Sequence, residues 1–331
     1  VTVNTDITIV VDQLNIGTGD SISVVGGQAL TVERFAVRTD SGKINNDGTI
    51  MLNGSAGNTA RFFVSGPGLM LDGTGILNTT SSSENIIAGL RKGDSLTQFA
   101  DHTIKAAGLL GNDRLVITNH GEVLENGHLT IDPTGDAGRS SAAFTSDGVV
   151  RADGNNDSIT LYDGFFINQA GGLIEAINNA DLTFDGARVH NDGTIHVATA
   201  ASLTITGDGM LTGNDLVLEP GSSFLISSAN LVNGIHLNNE SIVVNNSNIV
   251  NIDGGRIGGY VPLYDDWSQL DALGSTITGG TLEGYVSLSL STIKDVTLTP
   301  NAGLDAYNNL GLAGRIDNQG GTSGGDGHFY S

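Results

Sequence analysis

The chain has 331 residues, among them 48 Gly, 30 Asn, 5 Pro, 1 Trp and no Cys, and its 14 basic and 36 acidic side chains give a net charge of −22. That charge repels a phosphate backbone, so nucleic acid is excluded as a partner, and the lack of Cys removes disulfide scaffolds, thiolate metal sites and Cys nucleophiles. No apolar run approaches the roughly 18 residues of a membrane helix, so this segment is not expected to insert in a membrane, while Val, Ile and Leu spread along the whole chain argue against disorder.

The first residues, Val1-Thr2-Val3-Asn4-Thr5, read as a strand with no basic-then-apolar leader before it, so the chain is expected to be a mature product or a piece of a longer one. Ile16-Gly17-Thr18-Gly19-Asp20-Ser21-Ile22 reads as half of a calcium-binding nonapeptide. Calcium rolls need that motif in tandem, so an ordinary turn is expected. No cofactor or metal site is predicted, beyond weak Ca2+ binding by the many carboxylates.

From Asn46 a unit recurs: an Asx or other polar residue, then Gly, then a β-branched strand. It appears as Asn46-Asp47-Gly48-Thr49-Ile50, Asn119-His120-Gly121-Glu122-Val123, Ser146-Asp147-Gly148-Val149-Val150, Gln169-Ala170-Gly171-Gly172-Leu173, Asn191-Asp192-Gly193-Thr194-Ile195 and Asn318-Gln319-Gly320-Gly321-Thr322. The central steps, Gly121 to Gly148 to Gly172 to Gly193, average about 24 residues, inside the window of solenoid repeats. Residues 86–110 hold the one helix-like apolar pattern, but glycines break it and they read as strand and loop.

A second strand follows each glycine by about ten residues: Leu129-Thr130-Ile131, Ile159-Thr160-Leu161, Leu182-Thr183-Phe184 and Leu203-Thr204-Ile205. Alternation puts the apolar flanks inside and the four Thr outside as a ladder. Two strands and a turn cannot bury a hydrophobic face alone, whereas stacked coils can. The expected fold is therefore all-β: a single right-handed parallel β-helix of roughly 12–14 coils over residues 1–318, with a Gly-rich segment or linker at 319–331.

Several segments are similar to repeating phrases of giant bacterial proteins. They are residues 99–123, Leu129-Thr130-Ile131-Asp132-Pro133, residues 167–174, Thr276-Ile277-Thr278-Gly279-Gly280-Thr281-Leu282-Glu283 and residues 291–298. In these the chain resembles filamentous-haemagglutinin-like and autotransporter-passenger β-helix adhesins across roughly residues 40–320. The resemblance implies a secreted or outer-surface location and a structural or adhesive role, and it carries over no catalytic residue.

Charged residues are weighed against that background. Asp47, Asp147 and Asp192 stand where corners favour Asx-Gly, so a turn role outweighs a catalytic one. The seven His, at 102, 120, 128, 190, 196, 236 and 328, show no metal spacing, and His190 and His196 bracket one corner as polar turn residues. One segment departs from the repeat: Tyr260-Val261-Pro262-Leu263-Tyr264-Asp265-Asp266-Trp267. Aromatic faces beside carboxylates suit a sugar ring, so Tyr260, Tyr264, Asp265, Asp266 and Trp267 are the predicted ligand-binding residues. Expected partners are a glycan, a host or neighbouring-cell surface, or further copies in an oligomer or filament. A polysaccharide-binding or polysaccharide-degrading enzyme is the alternative.

Overall fold

The computed structural model describes residues 2–5, 9–33, 42–135 and 142–207, and beyond residue 207 mainly the strand segments. Every element among the described residues is a β-strand, and neighbouring strands run parallel in stacked sheets. The fold is a β-solenoid whose turns lie about 23 residues apart, close to the 24 read from the glycines. Residues 86–110 fall in Asn85–Gly89, Asp94–Gln98 and Thr103–Gly111, strands as expected.

The chain divides into two compact units, Val1–Glu175 and Ala176–Ser331. In the first, the early turns have three strands rather than the expected two. Lys43–Asn46 belongs to a second sheet, Thr49–Asn53 and Ala60–Ser65 to a long sheet, and the chain returns to the second sheet at Leu69–Asp72. Further on, the two long-sheet strands fuse into Thr103–Gly111 and Glu122–Ile131, with a register shift between Ala106 and Gly108 where the chain rounds a corner.

Registered side chains stack into inward columns. One runs Ile50, Leu77, Ile104, Val123, Val150, and another Leu30, Phe62, Ile87, Leu110, Ile131, Leu161. From the second sheet come Leu69, Leu96, Ile117, Phe144 and Phe166. All are buried, each contributing about 1.5–3 kcal/mol of transfer free energy. Ladder pairing to the turns before and after satisfies the strand backbone, which lets so glycine-rich a chain hold a dry interior.

In the second unit Leu182, Leu203 and Phe224 form one inward column, and Phe184 and Ile205 are registered beside it. A further four-stranded sheet, Arg256–Ile257, Thr281–Leu282, Thr297–Leu298 and Asp317–Asn318, occurs within this unit. The predicted Thr ladder is registered as Thr130 with Thr160 in the first unit and Thr183 with Thr204 in the second, and all four are only part-buried. It stops at Leu109 before Thr130 and at Leu225 after Thr204.

Candidate polar groove and its glycine corner

The repeated Asx-x-Gly phrase forms the corner between the second sheet and the long sheet. Its first residue points inward. Asn46, Asn119 and Ser146 open such phrases, and with Gln98 and Asn168 each ends a strand of the second sheet and is buried; the strand Leu69–Asp72 is the exception, ending on a part-exposed Asp72. Asn119 accepts a hydrogen bond from the Gly121 amide (3.1 Å) and donates to the Val149 carbonyl (3.2 Å) and the Ser146 hydroxyl (2.9 Å). Asn46 likewise accepts from the Gly48 amide (3.1 Å) and donates to the Ile76 carbonyl (3.1 Å). A neutral amide suits this place because it satisfies a donor in its own turn and an acceptor in the next without burying charge.

The glycine is needed for close approach between turns. A Cβ on Gly48 would stand 2.3 Å from the Asp20 carbonyl oxygen, and one on Gly148 would stand 2.1 Å from that of Gly121.

Outside this corner the first turns leave a groove of about 360 Å³, lined by Gly19, Asp20, Ser21, Asp47, Gly48, Thr49, Thr74, Gly75, Ile76 and Thr103. The chain enters it through a tight turn in which the Asp20 amide donates to the Gly17 carbonyl at 2.9 Å. Asp47 Oδ1 accepts from the Thr74 amide (3.0 Å) and hydroxyl (3.3 Å), tying two successive turns together across the groove. The lining thus combines two carboxylates, several hydroxyls and one apolar side chain, and among these described residues there is no arginine, lysine, histidine or aromatic ring. Such a surface can exchange hydrogen bonds with a polyhydroxylated ligand.

A second polar cluster occupies the opposite end of the long-sheet strands. Asp94 is buried and accepts from the amides of Gly66 (2.8 Å) and Arg91 (2.7 Å). In the following turns Asp113 pairs with Lys92 at 3.0 Å and accepts from the Gly135 amide at 3.1 Å. Burial, together with the like charges of Asp113 and Asp163, pushes the Asp132 carboxyl up to about 6. On the outer face of the long sheet Arg151 and Glu175 pair at 2.5 Å. No three His, Asp or Glu among the described residues are grouped so as to hold a metal ion.

In the second unit His190 contacts the Thr212 hydroxyl (3.0 Å) and Asp192 (3.2 Å), the polar-corner role expected of it. His196 reaches Glu219 at 3.0 Å, and the Thr199 amide and then His196 hold that carboxylate below its usual range. Tyr260, Tyr264, Asp265, Asp266 and Trp267 lie outside the described residues.

Of the groove's residues, the sequence pattern identified Asp47 and Gly48 as a corner and Gly19-Asp20-Ser21 as a turn. It missed Thr74-Gly75-Ile76 and Asp101-His102-Thr103. The signal was present as two equal steps of 27 residues, Gly48 to Gly75 to position 102, hidden by Gly73 and Ala100 in the Asx place and His in the Gly place.

Models of known protein families give no match to the chain, and comparison with curated proteins and with solved structures finds no significant relative. The residues themselves therefore carry the functional argument.

Proposed function

We propose that the chain is a structural or adhesive segment of a large extracellular β-solenoid protein of the filamentous-haemagglutinin or autotransporter-passenger kind, holding its corners as contacts for glycans or a neighbouring surface. The observation that carries this reading is the groove along the glycine corner, where Asp20, Asp47, Thr49, Thr74 and Thr103 from successive turns offer carboxylates and hydroxyls in a fixed array. A register set by backbone ladders presents polar groups without an ordering cost at binding, which is what a repetitive contact surface needs.

The test is binding of the chain to arrayed neutral, amino and acidic glycans, with Asp20→Asn and Thr103→Val as groove variants and Trp267→Ala as the variant of the aromatic segment. Retention that falls at least fivefold in the groove variants supports the reading, and absence of binding to any glycan or cell surface overturns it.

The two groove carboxylates also favour a second reading, cleavage of a polysaccharide by an acid and a base or nucleophile. Its signature is release of new reducing ends that is lost in Asp20→Asn and in Asp47→Asn. Binding without release rejects it.

A further inference from the structure

His102 occupies a slot that glycine fills in the neighbouring turns. Register pairs Thr49 with Ile76, Ile76 with Thr103, Thr103 with Glu122 and Glu122 with Val149. The residues immediately before these are Gly48, Gly75, His102, Gly121 and Gly148. Where four turns have no side chain, the fifth places an imidazole that is fully buried.

The hydrogen bonds around it fix its protonation. The Asn46 side-chain Oδ1 is held by the Gly48 amide at 3.1 Å, which turns the Asn46 Nδ2 group inward. One of its hydrogens goes to the Ile76 carbonyl (3.1 Å) and the other faces His102 Nε2 at 3.0 Å. Nε2 must therefore accept, and the ring is neutral with its proton on Nδ1. Nδ1 is buried and has no acceptor among the described residues. A second proton would set an N–H against the Asn46 N–H, with no acceptor at either ring nitrogen.

The turn is also fastened through His102: its amide donates to the Phe99 carbonyl (3.1 Å), and its carbonyl accepts from Gln98 Nε2 (2.7 Å) and the Glu122 amide (3.2 Å). Asp72, paired with Lys43 at 3.2 Å, is the charge that acts on the ring. Asp101 is exposed and Glu122 and His120 are part-exposed on the outer surface, His120 bonded to Asp147 at 2.6 Å.

We propose that His102 is an acid-sensitive latch: protonation is incompatible with its seat among Asn46, Gln98 and Ile76, so acid opens the turn that it fastens. Burial, opposed only by Asp72, lowers its pKa from 6.5 to about 4. An opened turn returns the ring to water and to its ordinary value, so the opened form takes the proton first. Opening is then favoured about tenfold per pH unit as pH falls below about 6.5, levelling off near 4, roughly 300-fold in total. Asp132 works in the opposite direction, because its raised pKa makes the folded form the better proton binder. A comparison with a His102 variant isolates the latch.

The experiment has two readouts. In the wild-type chain, imidazole 15N and 13C shifts of His102 should report the neutral Nδ1–H form at pH 5. A ring charged at pH 5, or an Nε2–H tautomer, overturns the proposal. Amide hydrogen exchange, corrected for intrinsic rate, is then followed in Ile76–Thr79 and Thr103–Gly111 from pH 7 to 4, for the wild type and for His102→Gly, which restores the residue of the neighbouring turns. The opening ratio of wild type to variant should rise at least 30-fold over that range, and a constant ratio overturns the latch. Should His102→Gly not fold, Asn46→Asp, which offers the ring an acceptor, should raise the His102 titration by one unit or more. No shift there counts against the proposal.

Discussion

Two corners of the first unit solve the same turning problem with different chemistry. At the glycine corner, Asn46, Gln98 and Asn119 bury neutral side-chain amides against the backbone of their own and adjoining turns. At the opposite corner Asp94 and Asp113 do the equivalent work with carboxylates, which cap backbone amides at Gly66, Arg91 and Gly135. A carboxylate is the stronger acceptor, but it brings charge. Burial, and then the like charges of Asp113 and Asp163, push the Asp132 carboxyl toward its neutral form. The glycine corner stacks its polar groups turn on turn without accumulating charge. At the carboxylate corner the buried Asp94 is held by two backbone amides, while the exposed Asp113 is offset by Lys92.

The sharpest way to break the glycine corner is to add one carbon. Gly148→Ala would press a Cβ to 2.1 Å from the Gly121 carbonyl oxygen, and neither backbone can move without opening the ladder. A loss of about 4 kcal/mol or more, read by urea unfolding, is expected. Asn119→Ala comes next. It leaves the Gly121 amide, the Val149 carbonyl and the Ser146 hydroxyl without the partner they share, for an expected loss of about 3 kcal/mol.

At the carboxylate corner the expected sign reverses. Asp132 has a folded pKa raised to about 6 from 3.8, so its ionised form weighs against the fold above pH 6, and that penalty fades as pH falls from 6 toward 3.8. Asp132→Asn should therefore stabilise the chain by about 2 kcal/mol at pH 7.5 and leave it nearly unchanged at pH 4, measured as the difference in unfolding free energy at each pH. The smallest effect belongs to the Lys92–Asp113 pair, whose side chains are 49% and 57% exposed. Lys92→Ala should cost under about 0.5 kcal/mol, and less at 0.5 M salt.

The sequence disclosed the glycine corner because its chemistry is local. Asn119 bonds to Gly121 two residues on, so the phrase is visible wherever such a residue stands two places before the glycine. The strand before it, such as Lys43–Asn46, is not legible because it is only four residues long and its last residue is itself the corner Asn, so three strands per turn read as two. The carboxylate corner was hidden for a different reason. Asp94 caps Gly66 and Asp113 caps Gly135, partners 28 and 22 residues apart, with no fixed spacing to betray them. His102 was named as one histidine among seven, and only the register of neighbouring strands shows that it stands in a glycine's place.

The contrast between the corners is tested most directly by giving one the chemistry of the other. Asn119→Asp retains an acceptor for the Gly121 amide but places a buried carboxylate against the Val149 carbonyl. Burial should raise the pKa of the introduced acid, so the folded form binds its proton more tightly than the unfolded chain does. The variant should then be less stable than the wild type by about 3 kcal/mol at pH 7.5, and should recover most of that difference as pH falls to 4, where the protonated carboxyl can donate to Val149. A stability difference between variant and wild type that does not change with pH would contradict the account.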